Sequence, residues 1–327
     1  MRPLNRQRGV ALMVVLMVVA LVSVLATEMG RRLQLQIQRT VNIKDSNQAY
    51  WYAVGAEAFA RKSLAALMKN DSDKISVDQV WAQEFVFPLE NGGLKARLED
   101  MRSCFNLNAL REKPDDNNAQ QTTPAMQSFH DMLLATNLDI DSYTAETVRD
   151  SLADWLDADD RMRPYGAEDS EYESRENPYL AANGLMSAQS ELRLVNGVSP
   201  AWINAILPLV CVVPNDDTMQ ININTLTPER APLLAGATGL TLDQATNLIS
   251  TRPQNGWAEA GDFLNEPVIQ ALNLDNTRRD WFTVTTEYFM LHTKTRYNNA
   301  TFTMTTVFKA TASGQVSVLR REFKEVD

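Results

Sequence analysis

Nine carboxylates crowd the stretch from Asp154 to Glu176: Asp154, Asp157, Asp159, Asp160, Glu168, Asp169, Glu171, Glu173 and Glu176, opposed by Arg161, Arg163 and Arg175. Such a cluster repels itself on folding unless water or a cation screens it. A hard cation such as calcium, which takes roughly six to eight oxygen ligands, would neutralise the stretch and order it. An EF-hand frame does not fit: with Asp157 at its first position, Asp159 and Glu168 fall correctly, but Arg161 and Met162 stand where an oxygen ligand and a glycine are required. A solvated acidic surface loop is the other reading of the same composition.

Other chemistry is sparse. His130 and His292 are the only histidines, and neither sits in a zinc or triad spacing, so enzymatic function is not expected. Cys104 and Cys211 are too few for a thiolate zinc site; one disulfide in an oxidising compartment and a buried free pair both fit. From Asn222 to Arg252 the chain resembles a helix-hairpin-helix, with Gly236 and Gly239 marking the hairpin. That motif binds phosphates through backbone N–H groups. Here lysines are missing and only Arg230 and Arg252 are basic, so a scaffold without nucleic acid is the expectation. A membrane-anchored DNA-uptake module is the rival reading. The formal charge of −10 also disfavours an anionic partner spread over the body.

These residues need elements to position them. No proline interrupts the chain between Pro3 and Pro88, and Ala49, Tyr52, Ala56, Phe59, Ser63 and Leu67 recur at helical spacing, predicting a long amphipathic helix ending near Asn70. That stripe must cover the protein's own sheet and is also the expected partner contact. Phe85-Val86-Phe87 and Leu94 to Leu98 flank Asn91-Gly92-Gly93, a β-hairpin signal. Alternation from Phe282 through Val318 predicts antiparallel strands with one buried face. The region between is richer in helical patterns, such as Met126 to Leu134 and Ser142 to Leu156. It carries an internal echo: Phe105-Asn106-Leu107-Asn108-Ala109-Leu110 against Ile221-Asn222-Ile223-Asn224-Thr225-Leu226. If bridged, Cys104 and Cys211 would close a loop spanning the first copy.

The N-terminus bears on the compartment. Arg2, Arg6 and Arg8 precede an apolar run from Val10 to Ala26 broken only by Ser23, at the short end of what crosses a bilayer, with the arginines expected on the cytoplasmic side. Val24-Leu25-Ala26 also offers a secretory cleavage site, which would leave a chain beginning at Thr27.

The short basic leader ending in Gly9 directly before the apolar run resembles the class III leader of type IV prepilins and pseudopilins. Further residues narrow the resemblance: Val14 where most such subunits carry glutamate, Asn106-Leu107-Asn108, Asp154 to Asp160, Tyr165 to Asp169, and Ser190 to Gly197. Together they resemble minor pseudopilin K of type II secretion systems. The resemblance implies cleavage after Gly9 by a prepilin peptidase, methylation of Val10, and a change of side-chain charge from −10 to −13 as three arginines leave. A subunit lacking the glutamate suits the start of a filament. The implied fold is α+β: a pilin-like long N-terminal helix on an antiparallel sheet, with a large inserted α-helical domain containing helix-hairpin-helix-like repeats. Its divisions are a leader 1–9, a transmembrane segment 10–26, helix and first strands 27–106, an inserted domain 107–280 with the acidic loop, and closing strands 281–327. Implied partners are minor pseudopilins I and J, other pseudopilins and the inner membrane, with the body in the periplasm and a tip role in export of folded proteins. Calcium is the implied ion, with Asp157, Asp159, Asp160, Glu168, Asp169 and the Tyr172 carbonyl as candidate ligands.

Overall fold

The computed structural model describes residues 8–111 and 121–324. Helix α1 runs unbroken over Arg8–Asp71, 64 residues or about 96 Å at the α-helical rise. Its buried face is Ala49, Ala53, Ala56, Ala60, Leu64 and Met68, spaced by three and four. Four alanines in that stripe let the helix lie close on its sheet. The stripe is rotated from the expected one. Ala49 and Ala56 do face the sheet, while Tyr52 sits at the flank with its ring 5.8 Å from Tyr297. Phe59 is 55% exposed and stacks on Phe85 at 5.2 Å. Between Ala49 and Ala60 the buried apolar positions are all alanine, and the large rings of Tyr52 and Phe59 lie to the side of that line.

The sheet comprises β1 (Phe85–Leu89), β2 (Gly92–Asp100), β7 (Tyr288–Tyr297), β8 (Ala300–Ala310) and β9 (Val316–Lys324), antiparallel in the order β1-β2-β7-β8-β9. The β1–β2 hairpin turns at Glu90-Asn91, with Asn91 at φ 60°. Phe289, Leu291 and Phe308 point under α1 with Leu64, Met68 and Ile75. Glu57 of α1 crosses to β9, pairing in bidentate fashion with Arg321 at 2.6 and 2.7 Å.

Between β2 and β7 stand β3 (Phe105–Asn106), α2 (Pro124–Ala135), α3 (Ser142–Leu156), α4 (Asp169–Glu173), α5 (Ile203–Ile206), β4 (Val210–Cys211), β5 (Ile221–Asn222), α6 (Ala231–Thr238), α7 (Leu242–Ser250), α8 (Ala260–Leu264), α9 (Pro267–Gln270), α10 (Asn276–Arg279) and β6 (Phe282–Thr283). This is an α+β chain. One expectation needs correcting: Phe282 and Thr283 do not extend the antiparallel sheet but pair in parallel with Ile221 and Asn222. A two-residue alternation cannot reveal which strand it will meet.

The sequence echo has a structural counterpart. β3 pairs in parallel with β4 as β5 does with β6. Asn106 Oδ1 accepts from the Asn108 N–H at 3.3 Å, and Asn222 Oδ1 from the Asn224 N–H at 3.1 Å. Asn108 then clasps the backbone of Met186, accepting at 2.9 Å and donating at 3.2 Å; Asn224 does the same to Trp257 at 2.8 and 2.9 Å. Each buried amide thus replaces a strand neighbour, satisfying donors and acceptors that burial would otherwise strand. The two units meet through α2 and α6. A Cβ on Gly236 would lie 2.5 Å from the Ser128 carbonyl oxygen and 2.6 Å from the Met132 nitrogen, so only glycine admits the approach.

Cys104 and Cys211 are disulfide-bonded, their Cα atoms 5.7 Å apart, beside Met101, Val213, Tyr288 and Val307. The bond therefore lies on the face of the sheet opposite α1, where the helical region seats. Asp100, at the end of β2, ties the two regions: it accepts from the Arg102 N–H at 2.7 Å, Thr225 Oγ1 at 2.7 Å and Asn222 Nδ2 at 2.9 Å.

Candidate functional site

The acidic segment begins inside α3. Asp154 is fully buried, and its Oδ2 accepts from the Arg163 N–H at 3.1 Å. The Arg163 guanidinium is also buried, with Nε 3.3 Å from Asp154 Oδ1 and one terminal nitrogen 3.7 Å from Asp157 Oδ2. Gly166 makes this fold-over possible, since a Cβ there would come within 1.8 Å of Asp154 Oδ2. Glu168, 5% exposed, has no hydrogen-bond partner on either carboxylate oxygen, and Asp154 Oδ1 has none either. Burial first, then the charges of Asp154, Asp157, Asp160 and Asp169, push Glu168 up to about 8. Burial raises Asp154 to about 7 against the lowering effect of Arg163.

The candidate ligands are spread around this point. Asp157 caps α3 and Asp169 opens α4 with its Oδ1 accepting from the Ala181 N–H at 2.8 Å. Asp159 and Asp160 are exposed, and Asp159 Oδ1 accepts from the Arg161 N–H. Tyr172 is fully buried, its ring 5.2 Å from Trp155 and its carbonyl oxygen accepting from the Arg175 N–H at 3.4 Å. Among the described residues, no three His, Cys, Asp or Glu side chains converge on one metal-sized point. The residues do fit a cation in another respect: both carboxylate oxygens of buried Glu168 lack a hydrogen-bond partner, and unlike Asp154, which has the Arg163 guanidinium 3.3 Å away, Glu168 requires a positive charge or a proton. Asp154 escaped the candidate set because its helical position conceals that it points at the loop. Its same-face neighbours three and four residues back, Ser151 and Asp150, are polar as well, so the helical pattern gave no sign that this face is buried.

The other constellations resolve structurally. The segment after Asn222 forms α6 and α7, joined through Gly239 in a left-handed conformation (φ 85°). Gly236 lies within α6, at the contact with α2, and not in the turn. Both basic residues turn inward: Arg230 bonds Ser103 and Glu99, and Arg252 donates to the carbonyls of Leu226 at 2.8 Å and Ile223 at 3.1 Å. His130 contacts Asp131 at 3.0 Å within α2, and His292 of β7 lies 3.1 Å from Glu99 of β2.

The first half of α1 is bare. Its apolar window has a mean hydropathy of 2.9 and none of it is buried, so the helix is long and apolar enough to cross a membrane. Gly9, Val10 and Val14 are exposed on it. Residues 1–7 of the expected leader, including Arg2 and Arg6, lie outside the described residues.

Comparison with known proteins accounts for this architecture. The family described as type II secretion system (T2SS), protein K, matches residues 103–215 and 221–285. The type II secretion system protein K of Klebsiella pneumoniae is 38% identical over 293 residues, covering 88% of this chain and 87% of its own. That of Pectobacterium carotovorum subsp. carotovorum is 35% identical over 324 residues, covering 98% and 97%. The crystal structure of the GspK-GspI-GspJ complex from the enterotoxigenic Escherichia coli type 2 secretion system contains a chain that superposes with a TM-score of 0.79 at 30% identity, covering 88% of this chain and all of that one. The long helix on an antiparallel sheet, the asparagine-clasped helical units between β2 and β7, and relatives matched over nearly the whole length agree: this chain belongs to the type II secretion system protein K family.

Proposed function

We propose that this chain is the minor pseudopilin at the tip of the type II secretion pseudopilus, assembled with minor pseudopilins I and J and needed to export folded proteins across the outer membrane. The observation that carries the reading is the polarity of the molecule. α1 is bare from Val10 to Ile43, while its far end runs directly into the helical region through Ile75 N–H to the Val284 carbonyl and Val77 N–H to the Asn224 carbonyl. Helices of later subunits can pack along the bare half. A subunit stacked beyond the far end would meet the inserted domain. Exposed Phe59, Phe85 and Phe87, stacked beside α1, suit contact with such neighbours.

In this reading the apolar run anchors the chain in the inner membrane with the leader cytoplasmic and the body periplasmic; prepilin peptidase cleaves after Gly9, and Val10 is methylated. Helices α6 and α7 serve as a helix-hairpin-helix-like scaffold with no nucleic-acid role, consistent with the inward-turned arginines. The acidic loop holds calcium: Glu168 and Asp154 supply buried oxygens, and Asp157, Asp159, Asp160 and Asp169 the loop carboxylates, with the Tyr172 carbonyl nearby. The ion would supply the positive charge that the Glu168 carboxylate lacks.

Mass spectrometry of the mature N-terminus, from cells with and without a prepilin peptidase, tests the assignment. The expected product is a methylated Val10 that appears only with the peptidase. A mature chain beginning at Thr27 would refute the filament reading, because it removes the helix through which subunits pack.

A further inference from the structure

The face of the sheet turned away from α1 carries a concentration of positive charge. On β7, Thr293 and Thr295 are buried under α1, with Thr295 Oγ1 donating to the Ala49 carbonyl at 2.7 Å. Alternation therefore sends Lys294 and Arg296 to the opposite face. Register places Lys294 directly across from Lys95 of β2, Arg97 across from His292, and Arg296 across from Gly93. All four cations are exposed. Their neighbours on the same face of β8 are Thr301 and Thr303.

Lys95 reaches Glu84 at 3.2 Å and Arg97 reaches Glu99 at 3.4 Å, pairs open enough to contribute little. Among the described residues no carboxylate pairs with Lys294 or Arg296; Arg296 Nε donates to the Asn298 carbonyl at 3.0 Å. Like charges directly opposed across two strands destabilise a sheet. Here two lysines oppose each other, with two arginines diagonal to them, in a chain whose net charge is −10. Folding gains nothing from that arrangement, whereas an anionic surface laid on it would.

We infer that this membrane-proximal half of the outer sheet face, Lys95, Arg97, Lys294 and Arg296, is a docking surface for the carboxylate-rich face of a folded protein. Two observations select that partner. The patch is level with Asp45 and Ala49 of α1, since Asn298 Nδ2 bonds Asp45 Oδ1 at 3.1 Å. Asp45 lies nineteen residues beyond Ala26, about 28 Å along the helix, several Debye lengths from lipid headgroups. Helix α1 occupies the other side of the sheet, so on the filament reading, from which this inference takes only its direction, subunits that pack by their helices leave this face pointing outward. The protein it meets approaches from outside the helix bundle and is acidic.

The test uses the full chain in non-ionic detergent and a fluorescent polyglutamate peptide as probe, read by anisotropy at low salt and at about 150 mM. Saturable binding that weakens with salt is expected. The triple variant K95Q/K294Q/R296Q should bind about tenfold more weakly while melting no lower than the unaltered chain, because the opposed lysines are gone. R31Q/R32Q, on the bare helix, should bind as the unaltered chain does. Unchanged peptide binding in the triple variant would overturn the proposal. So would a patch-dependent preference for phosphatidylglycerol vesicles or DNA over the peptide, or salt-sensitive self-association of the chain through the same residues. A mature N-terminus at Thr27 would sink the filament reading and leave the peptide result standing.

Discussion

The disulfide between Cys104 and Cys211 closes a span of 107 residues containing the whole first helical unit and the acidic loop. Breaking it frees that span in the unfolded chain. The loop-closure relation gives about 16 cal/mol/K for this length, or about 4.8 kcal/mol at 25 °C. The folded state should change little, because the base of the loop is held independently: β3 pairs with β4, Arg102 bonds Asp216 at 2.6 Å, and Asn106 Nδ2 donates to the Asp216 carbonyl at 2.8 Å. Most of the effect therefore belongs to the unfolded ensemble. Urea unfolding of the chain before and after reduction, followed by tryptophan fluorescence, should show a loss of about 4 to 5 kcal/mol with a steeper denaturant slope, since the uncrosslinked chain exposes more surface. The double variant C104A/C211A should lose somewhat more, because it also leaves a cavity among buried residues. A loss under about 1 kcal/mol in both forms would refute the reasoning, showing that the ends of the loop are already held together in the unfolded chain.

Further outcomes follow from the glycines and the acidic loop. Gly236→Ala forces a methyl into the α2 backbone and should cost about 1 to 3 kcal/mol. Gly55→Ala, where nothing lies within 4 Å, should stabilise α1 by roughly 0.5 to 1 kcal/mol. Equal effects from the two would mean that α2 and α6 are not in the described contact. Calcium at about a hundredfold its dissociation constant should add about 2.7 kcal/mol to the thermal stability of the full chain over a chelator control. Glu168→Gln should abolish most of that increment. Identical melting in chelator and calcium would count against the loop as an ion site.

What the sequence disclosed depended on the range of each signal. The long helix, the β1–β2 hairpin, α2 and α3 were legible because their periodicity and turn residues are local. The asparagine echo was visible as letters, but its meaning was not, since Asn108 and Asn224 act on Met186 and Trp257, 78 and 33 residues away. Tyr52 and Phe59 looked like the helix's inner face because ring size usually marks burial; four alanines made the closer contact instead. Gly236 and Gly239 looked alike as hairpin glycines, yet one serves a turn and the other an interhelical contact. In the acidic loop the cluster was plain, but one of its two buried carboxylates, Asp154, was hidden by the helix that carries it.

The pairing of β2 with β7 has a consequence in time. Asp100 meets Phe289 and Gly92 meets Tyr297, so the partner of each β2 residue is made some 190 to 205 positions later. At about 5 to 20 residues per second, synthesis separates the two by roughly 10 to 40 s. During that interval β2 has only β1 beside it, and the alanine stripe of α1 has no β7 or β8 to cover it. The inserted helical units, whose helices are closer in sequence, can condense first, and the sheet can close only when the last strands arrive. A chain cut short before Tyr288 would then expose both an unpaired strand and an uncovered helix, which makes truncated forms the ones that quality control must remove.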